Sequence, residues 1–208
     1  MTKTSESPEP RRHAARRSAL TDRLADIVLA EGLADFGLRR VAARLATSDR
    51  MLLYYFDTKV ELVLAVLTRI SERLSGALQI TADAVRMKPD ALLARASAQF
   101  ADPAIAPFMR VWIEVSAIGA RGEEPYRAFA SQTIAAWLDW LDARLDLPAG
   151  QVRERWAAAI LTILEGVAML ELSRPASTAG VGTLLSKALA RKPPGRRYTE
   201  SRRPKNDR

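Results

Sequence analysis

Apolar residues recur at helical spacing along most of the chain, and no run alternates apolar and polar positions as a half-buried strand does. The first helix is predicted to run from Ser18, a good N-cap residue, to Glu31, and Gly32 ends it. Its inward face follows the i, i+4, i+7, i+8 spacing of an amphipathic helix: Leu20, Leu24, Ile27 and Val28. The pattern predicts an all-α protein.

Two short helices and several longer ones are predicted to follow. The second helix starts after Gly37, the third starts at Ser48, and the capping-box pattern of Thr58 and Glu61 opens a long helix that ends near Leu78. Residues 18–64 are thereby predicted to form a compact three-helix domain. Further helices are expected at about 89–101, 103–119, 124–145, 150–173 and 177–190, and residues 65–190 are expected to pack as one helical bundle.

Charge is concentrated at the two ends of the chain. The net charge of +8 divides into +3 over residues 1–60, −1 over 61–190 and +6 over 191–208. Residues 1–17 are polar and rich in Pro and Arg, which predicts a disordered arm, and residues 191–208 are predicted to be a basic disordered tail. A basic end joined to a neutral body is typical of proteins that bind nucleic acid. For the tail alone, an aid to solubility is an equal alternative.

Composition excludes much of enzyme chemistry. The chain has no cysteine and a single histidine, His13, so disulfides, thiolate catalysis, cysteine-ligated zinc and histidine triads are excluded. Its acidic residues are scattered and no phosphate-binding loop is present, so we expect neither an enzyme nor a cofactor or metal site. The longest charge-free apolar stretch, 156–164, is shorter than the roughly 17–25 residues that span a bilayer. No membrane segment and a cytoplasmic location are therefore expected.

The two short helices separated by a tight turn have the layout of a helix-turn-helix. Residues 20–67 resemble the amino-terminal domain of TetR-type transcriptional regulators. The resemblance rests on the end of the first helix at Ala30-Glu31-Gly32, the second-helix pattern Leu38-Arg39-x-Val41-Ala42, Ser48 at the start of the third helix, and the run Leu52-x-Tyr54-Tyr55-Phe56 followed by Lys59 and Leu62.

This resemblance implies a homodimer whose recognition helices enter successive major grooves of a near-palindromic operator, most commonly as a repressor. Arg50 is the first choice for a base contact, because arginine can bond O6 and N7 of guanine together. Tyr54, Tyr55 and Lys59 match positions that meet phosphates in the family. Arg39 and Arg40 are expected to add backbone contacts. The exposed part of the third helix is expected to comprise Ser48, Asp49, Arg50, Met51 and Tyr54.

The remaining residues of the third helix are expected to be core. Leu52, Leu53 and Phe56 are predicted to be buried, and Tyr55 is predicted to be either a core residue or a phosphate contact. Five positions depart from the family pattern: Gly37 replaces a Ser or Thr cap and Leu53 replaces an aromatic residue, and the three strongest departures are Ala46 and Thr47, in place of a glycine and a small apolar residue in the turn, and Asp49, which brings a negative charge to the DNA-facing end. These departures support an alternative hypothesis, a helical ligand-binding or scaffolding protein with a degenerate helix-turn-helix.

In the family, the second domain holds an effector pocket and the dimer interface. The interface would be formed here by the helices near 150–173 and 177–190, and the effector is expected to be small and largely apolar. Trp112, Trp137 and Met169 are the candidate pocket residues. Glu165 lies within an apolar stretch and is expected to be on the surface, to face an arginine of the partner subunit, or to contact a ligand, because burying an unpaired carboxylate is costly.

Overall fold

The structure, a computed structural model, describes residues 8–34, 36–78 and 85–190. Within these ranges the chain forms nine α-helices and one 3-10 turn, at Pro103–Ile105, and no β-strand. The helices are α1 Pro8–Glu31, α2 Leu38–Arg44, α3 Asp49–Phe56, α4 Lys59–Ala77, α5 Pro89–Phe100, α6 Ala106–Ala120, α7 Tyr126–Arg144, α8 Gln151–Ser173 and α9 Val181–Ala190. The predicted all-α fold is confirmed.

Two predicted helix starts lie four or more residues from those in the structure. Helix α1 begins at Pro8 rather than Ser18, so the prediction of a disordered arm was wrong for residues 8–17. A proline at the first helical position and Glu9 in the first turn are favourable there, and the following Arg and Ala residues are good helix formers. Helix α9 begins at Val181 because residues 175–180 form turns. Residues 1–7 and the predicted basic tail, 191–208, lie outside the described residues.

The first three helices pack with α4 around one core. Leu24 and Val28 of α1, Leu52 and Phe56 of α3, and Leu62 of α4 have no exposed surface. Leu53, which was predicted to be buried, is 36% exposed, because it lies about 100° around α3 from Leu52. The same core continues into α6 through Val111 and Val115.

Charged side chains join α1 to α4 on the outside of this core. Arg69 contacts Asp22 at 2.8 Å, and Arg73 contacts both Asp22, at 2.8 Å, and Asp26, at 2.6 Å. The hydrogen bond from Arg73 holds the pKa of Asp22 below its ordinary value. Helix α4 therefore connects to α1 by both apolar and ionic contacts. The predicted domain boundary at residues 64 and 65 falls inside α4.

Helices α5 to α9 form the bundle. A second core cluster includes Leu92 and Leu93 of α5, Leu141 of α7, and Ile160 and Leu164 of α8. The segment before α5 pairs with the end of α7 through an isolated bridge between Met87 and Leu145. Helix α9 packs against α5. The bundle is thus continuous with the first domain through α4 and α6.

Helix α8 is the one helix in the described part of the chain that is long and apolar enough, by length and composition, to cross a membrane. This finding differs from the expectation that no such segment exists, because that expectation considered only the stretch 156–164. Ala157, Ile160, Leu161 and Leu164 of α8 are buried against the other helices. The apolar composition of α8 is thereby partly explained by the core of the bundle.

Candidate functional site

The turn between α2 and α3 fixes the start of the third helix. Ala46 has a φ of 50°, in the left-handed region that favours glycine, at the position where the family pattern has glycine. The Ser48 hydroxyl accepts a hydrogen bond from the Met51 N–H at 3.1 Å, which caps α3. The Asp49 carboxylate accepts from the Arg50 N–H at 2.9 Å. Asp49 thus binds the amino-terminal end of its own helix, where the helix dipole favours a negative charge.

Helix α3 has one buried face and one exposed face. Leu52 and Phe56 are fully buried, whereas Met51 is 43% exposed and Tyr54 is 63% exposed. Arg50 and Ser48 are exposed as well, and Asp49 and Tyr55 are half-buried. An exposed helix of two turns has the diameter to enter the major groove of DNA. The structure therefore presents most of the predicted contact residues to solvent.

Three further predicted contact residues lie on the neighbouring helices. Arg39 and Arg40 are exposed in the first turn of α2, and Lys59 is exposed at the first position of α4. Lys59 adds its charge to the positive end of the helix dipole, so both would act on one phosphate. The three side chains and Arg50 make the surface basic. Their contacts with DNA remain predictions.

The amino-terminal turns of α1 add residues that the sequence reasoning missed. The His13 ring lies 5.4 Å from the Tyr54 ring and 5.0 Å from the Tyr55 ring, measured between centroids. Arg17 donates to the Tyr55 carbonyl at 3.0 Å and to Glu61 at 2.5 Å. Arg12 and Arg16 are exposed in the same turns. The signal was present in the sequence as a proline followed by Glu9 and a run of helix-forming residues.

A cavity of about 330 Å³ lies between α4, α6, α7 and α8. Trp112 and Trp137, two of the predicted pocket residues, line it. The third, Met169, does not line it: it is 59% exposed on the outer face of α8, so this prediction is corrected. Leu161 and Glu165 face the cavity, and Met169 lies one turn further along α8 than Glu165, beyond the last residue of this helix that lines the cavity. Ligand binding by the two tryptophans remains a prediction.

Glu165, for which the sequence left a surface position, an arginine partner and a ligand contact open, is half-buried and lines this cavity. Burial raises the pKa of its carboxyl group, and a hydrogen bond from Trp112 partly opposes that effect. Among the described residues, no lysine or arginine forms an ion pair with it. The cavity is therefore an apolar space with one acidic group in its wall.

Helix α6 connects the cavity to the end of α1. Phe108, Met109 and Trp112 of α6 line the cavity. On the same helix, the Glu114 carboxylate accepts a hydrogen bond from the Leu33 N–H at 2.6 Å, and Arg110 donates to the Leu29 carbonyl at 2.9 Å. Helix α6 therefore joins the wall of the cavity to the end of α1, and α1 contacts α3 through the hydrogen bond from Arg17 to the Tyr55 carbonyl.

The outer face of α8 is exposed and largely apolar. Ala158, Thr162 and Gly166 follow one another at i, i+4 spacing and are exposed, and Leu170 continues the row with 54% exposure. The Thr162 hydroxyl donates to the Ala158 carbonyl at 2.8 Å, so its polar group is satisfied within the helix. Small side chains in such a row permit close approach of a second helix. Leu184 of α9 is also exposed, at 67%.

In the part of the chain that the structure describes, no group of three or more His, Asp or Glu side chains is placed to hold a metal ion.

The described chain thus combines a helix-turn-helix, the linking helix α4 and a helical bundle that contains a cavity. No protein-family model matches the chain, and no curated protein sequence matches it either. Solved structures do match. A TetR-family transcriptional regulator from a Rhodococcus species covers 85% of this chain and 97% of its own, at 20% identity and a TM-score of 0.65.

Two further solved structures give the same result. A transcriptional regulator from Rhodococcus sp. Rha1 covers 82% of this chain and 92% of its own, at 22% identity and a TM-score of 0.66. The multidrug binding protein EbrR, solved in complex with imidazole, covers 93% of this chain and 98% of its own, at 20% identity and a TM-score of 0.63. The chain therefore has the fold of TetR-family regulators, as the resemblance of residues 20–67 predicted.

Proposed function

We propose that this protein is a TetR-type, DNA-binding transcriptional regulator. It binds a near-palindromic operator as a homodimer, acts as a repressor in the cytoplasm without enzymatic activity, and is released from DNA by a small-molecule effector. The observation that carries the proposal is the exposed face of α3, where Arg50, Met51 and Tyr54 project from a helix held on its other face by Leu52 and Phe56.

The roles of the surface residues follow from their chemistry and exposure. Arg50 reads a guanine edge in the major groove, because a guanidinium group can bond O6 and N7 at once. Tyr54, Lys59, Arg39 and Arg40 bind phosphates and set the register of the helix on the duplex. Ser48 and Met51 contact the groove at the start of α3. Tyr55 is held by His13 and Arg17 and contacts a phosphate from its exposed edge.

The contacts of Asp49 help to distinguish a working helix-turn-helix from a degenerate one. Its carboxylate is half-buried and accepts the Arg50 N–H of its own helix. A group engaged in this way stabilises the start of α3 and repels phosphate less than a free carboxylate at the surface. Ala46 likewise adopts the left-handed conformation in which the family uses glycine. Both observations favour a working recognition helix over a degenerate one.

The dimer is proposed to form through α8 and α9. The row of Ala158, Thr162, Gly166 and Leu170 offers a second subunit an apolar surface with no unsatisfied hydroxyl. An exposed apolar row of this length on a soluble protein is typical of an interaction site. Two copies related by a two-fold axis would place two α3 helices on one face of the DNA, as a palindromic operator requires.

Release is proposed to follow from the shared helices. A ligand in the cavity contacts α6 and α4, and α6 holds the end of α1 through Glu114 and Arg110. A ligand that prefers the arrangement in which the two α3 helices are wrongly spaced lowers DNA affinity, typically by about 1–3 kcal/mol of coupling free energy. Occupation of the cavity and occupation of the operator would then be mutually antagonistic.

The test is selection of operator fragments from random duplexes with the purified protein, followed by titration in about 150 mM salt. Arg50→Ala should weaken binding by roughly 1–3 kcal/mol and relax the preference at one base pair. Lys59→Ala should weaken binding to all sequences and reduce the salt slope by about 1. Arg95→Ala, which removes the same charge from an exposed position on α5, is the matched control and should bind as wild type.

Two results would contradict the proposed function or its assignment to α3. If the selected duplexes share no sequence, and binding disappears with salt, the protein is a helical ligand-binding or scaffolding protein rather than a regulator. If Arg50→Ala and Lys59→Ala both bind a selected operator as wild type does, the assignment of α3 as the recognition helix is wrong.

A further inference from the structure

The chemistry of the cavity wall restricts what it can bind. Six aromatic rings line it: Phe100, Phe108, Trp112, Phe129, Trp137 and Trp140. The Phe100 and Trp137 rings meet edge to face at 6.1 Å, as do the Trp137 and Trp140 rings at 5.6 Å. Because the rings of each pair are nearly perpendicular, the faces of these three lining rings are turned in different directions. Such faces attract cations.

Glu165 is the one ionisable side chain among the described residues that line this cavity. It is half-buried, and no lysine or arginine in the described part of the chain forms an ion pair with it. The Trp112 indole provides a hydrogen bond to Glu165 but carries no charge. A ligand that fills the cavity removes the remaining water from this carboxylate. Without a compensating cation, that desolvation is unfavourable.

Arg144 is a cation that lies next to one of the rings in the cavity wall. Its guanidinium lies over the Trp140 ring at 4.1 Å, but Arg144 does not line the cavity. One face of Trp140 is thereby occupied. The rings of Trp112, Trp137 and the three phenylalanines are therefore the ones available to enclose a ligand. Glu165 reaches the cavity from a different helix, α8.

We propose that the cavity binds an organic cation, an apolar molecule bearing a quaternary or protonated amine, with Glu165 as its counter-ion and Trp112 and Trp137 as its aromatic enclosure. This inference names the effector class and so rests on the proposed function. A neutral apolar ligand would desolvate Glu165 without forming a compensating contact, and the carboxylate would repel an anion. A cation replaces the lost hydration by a short-range ionic contact and by cation–π contacts.

The first experiment compares a cation with its neutral isostere and with an anion that has the same phenyl ring. Phenyltrimethylammonium, its neutral isostere tert-butylbenzene, and the anion benzoate are titrated into the full-length protein, and quenching of the tryptophan fluorescence is measured. We expect the cation to bind at least tenfold more tightly than the isostere, and benzoate to bind most weakly. If tert-butylbenzene or benzoate binds as tightly as the cation, the proposal is overturned. This comparison needs no variant.

The second experiment tests whether the Glu165 carboxylate is the counter-ion of the bound cation. Glu165→Gln keeps the size and polarity of the side chain and should reduce the affinity for phenyltrimethylammonium about tenfold, whereas the affinity for tert-butylbenzene should rise, because this ligand no longer desolvates a carboxylate. Glu154→Gln, at an exposed position on the same helix, is the matched control and should bind both molecules as wild type does. Equal loss of affinity in the two variants, or no loss in Glu165→Gln, refutes the role of Glu165. Far-ultraviolet circular dichroism checks that both variants are folded.

The proposed function and the inference of cation binding can be refuted independently of each other. Cation binding is read from the tryptophans with no DNA present, and operator binding is read from the selected duplex with no ligand present. A protein that prefers the cation but binds no operator retains this inference and loses the proposed function. A protein that binds its operator but shows no preference for the cation retains the proposed function and loses this inference.

Discussion

Gly32 lies where the end of α1 meets α6, and replacing it by alanine tests this junction. Gly32 has a φ of +81°, and a Cβ at this position would lie 2.5 Å from Oε1 of Glu114. The other oxygen of the same carboxylate accepts the Leu33 N–H at 2.6 Å. Gly32→Ala therefore forces a side chain into the left-handed region and pushes away the carboxylate that satisfies a buried residue's N–H.

The expected cost has two parts. A left-handed conformation costs an alanine about 1 kcal/mol more than a glycine. The loss of a hydrogen bond to a charged group costs about 1.5–3 kcal/mol, because the N–H of the buried Leu33 is left without its acceptor. We expect Gly32→Ala to lower the free energy of unfolding by about 3 kcal/mol.

The chain offers a close control at Gly122. Its φ is +83°, and nothing lies within 4 Å of the Cβ that alanine would add. Gly122→Ala should thus cost only the conformational part, about 1 kcal/mol. Both variants are measured by urea unfolding at one fixed protein concentration, because dimerisation would make stability depend on concentration. If Gly32→Ala costs no more than Gly122→Ala, the role assigned to Glu114 is refuted.

A double variant isolates the contact further. In a Glu114→Ala background the carboxylate is already absent, so adding Gly32→Ala should cost only about 1 kcal/mol more. The two substitutions are then non-additive, as expected for residues in contact. Additive costs would mean that Gly32→Ala destabilises the protein by another route. If coupling runs through α6, the same variants should also weaken the antagonism between ligand and operator.

Three further predictions follow from other parts of the molecule. Ser48→Ala removes the cap of α3 and should cost about 1 kcal/mol in urea unfolding and also weaken operator binding, whereas Ser48→Thr should retain both. Glu165→Gln should raise the stability relative to wild type, and more so at pH 7 than at pH 4. The pKa of Glu165 is raised by burial, so the native state holds its proton more tightly than the unfolded state, and wild-type stability falls as the pH rises above the ordinary value of 4.5. An identical gain at both pH values would contradict this reasoning. Thr162→Arg, on the exposed row of α8, should convert a dimer to a monomer in sedimentation velocity, and an unchanged dimer would place the interface elsewhere.

Local pattern in the sequence was sufficient to predict most of the fold. Apolar spacing predicted the helices, and the N-cap residues Ser48 and Thr58 marked the starts of α3 and α4, because capping depends on residues three apart. The same spacing placed Leu52 and Phe56 in the core and Tyr54 at the surface. These properties depend on neighbours within a few residues, and a single sequence contains that information.

Tertiary packing decided which side of each helix meets which neighbour. Glu165 and Met169 lie one turn apart in an apolar stretch of α8, yet only Glu165 reaches the cavity, because the turn that carries Met169 lies beyond the end of the cavity. The Glu114–Leu33 bond joins residues 81 positions apart, and the contacts of His13 depend on how α1 crosses α3. A helical pattern in the sequence predicts that one face of a helix is apolar. The rotation and crossing of whole helices then determine whether that face forms a core, a cavity or a surface for a second subunit.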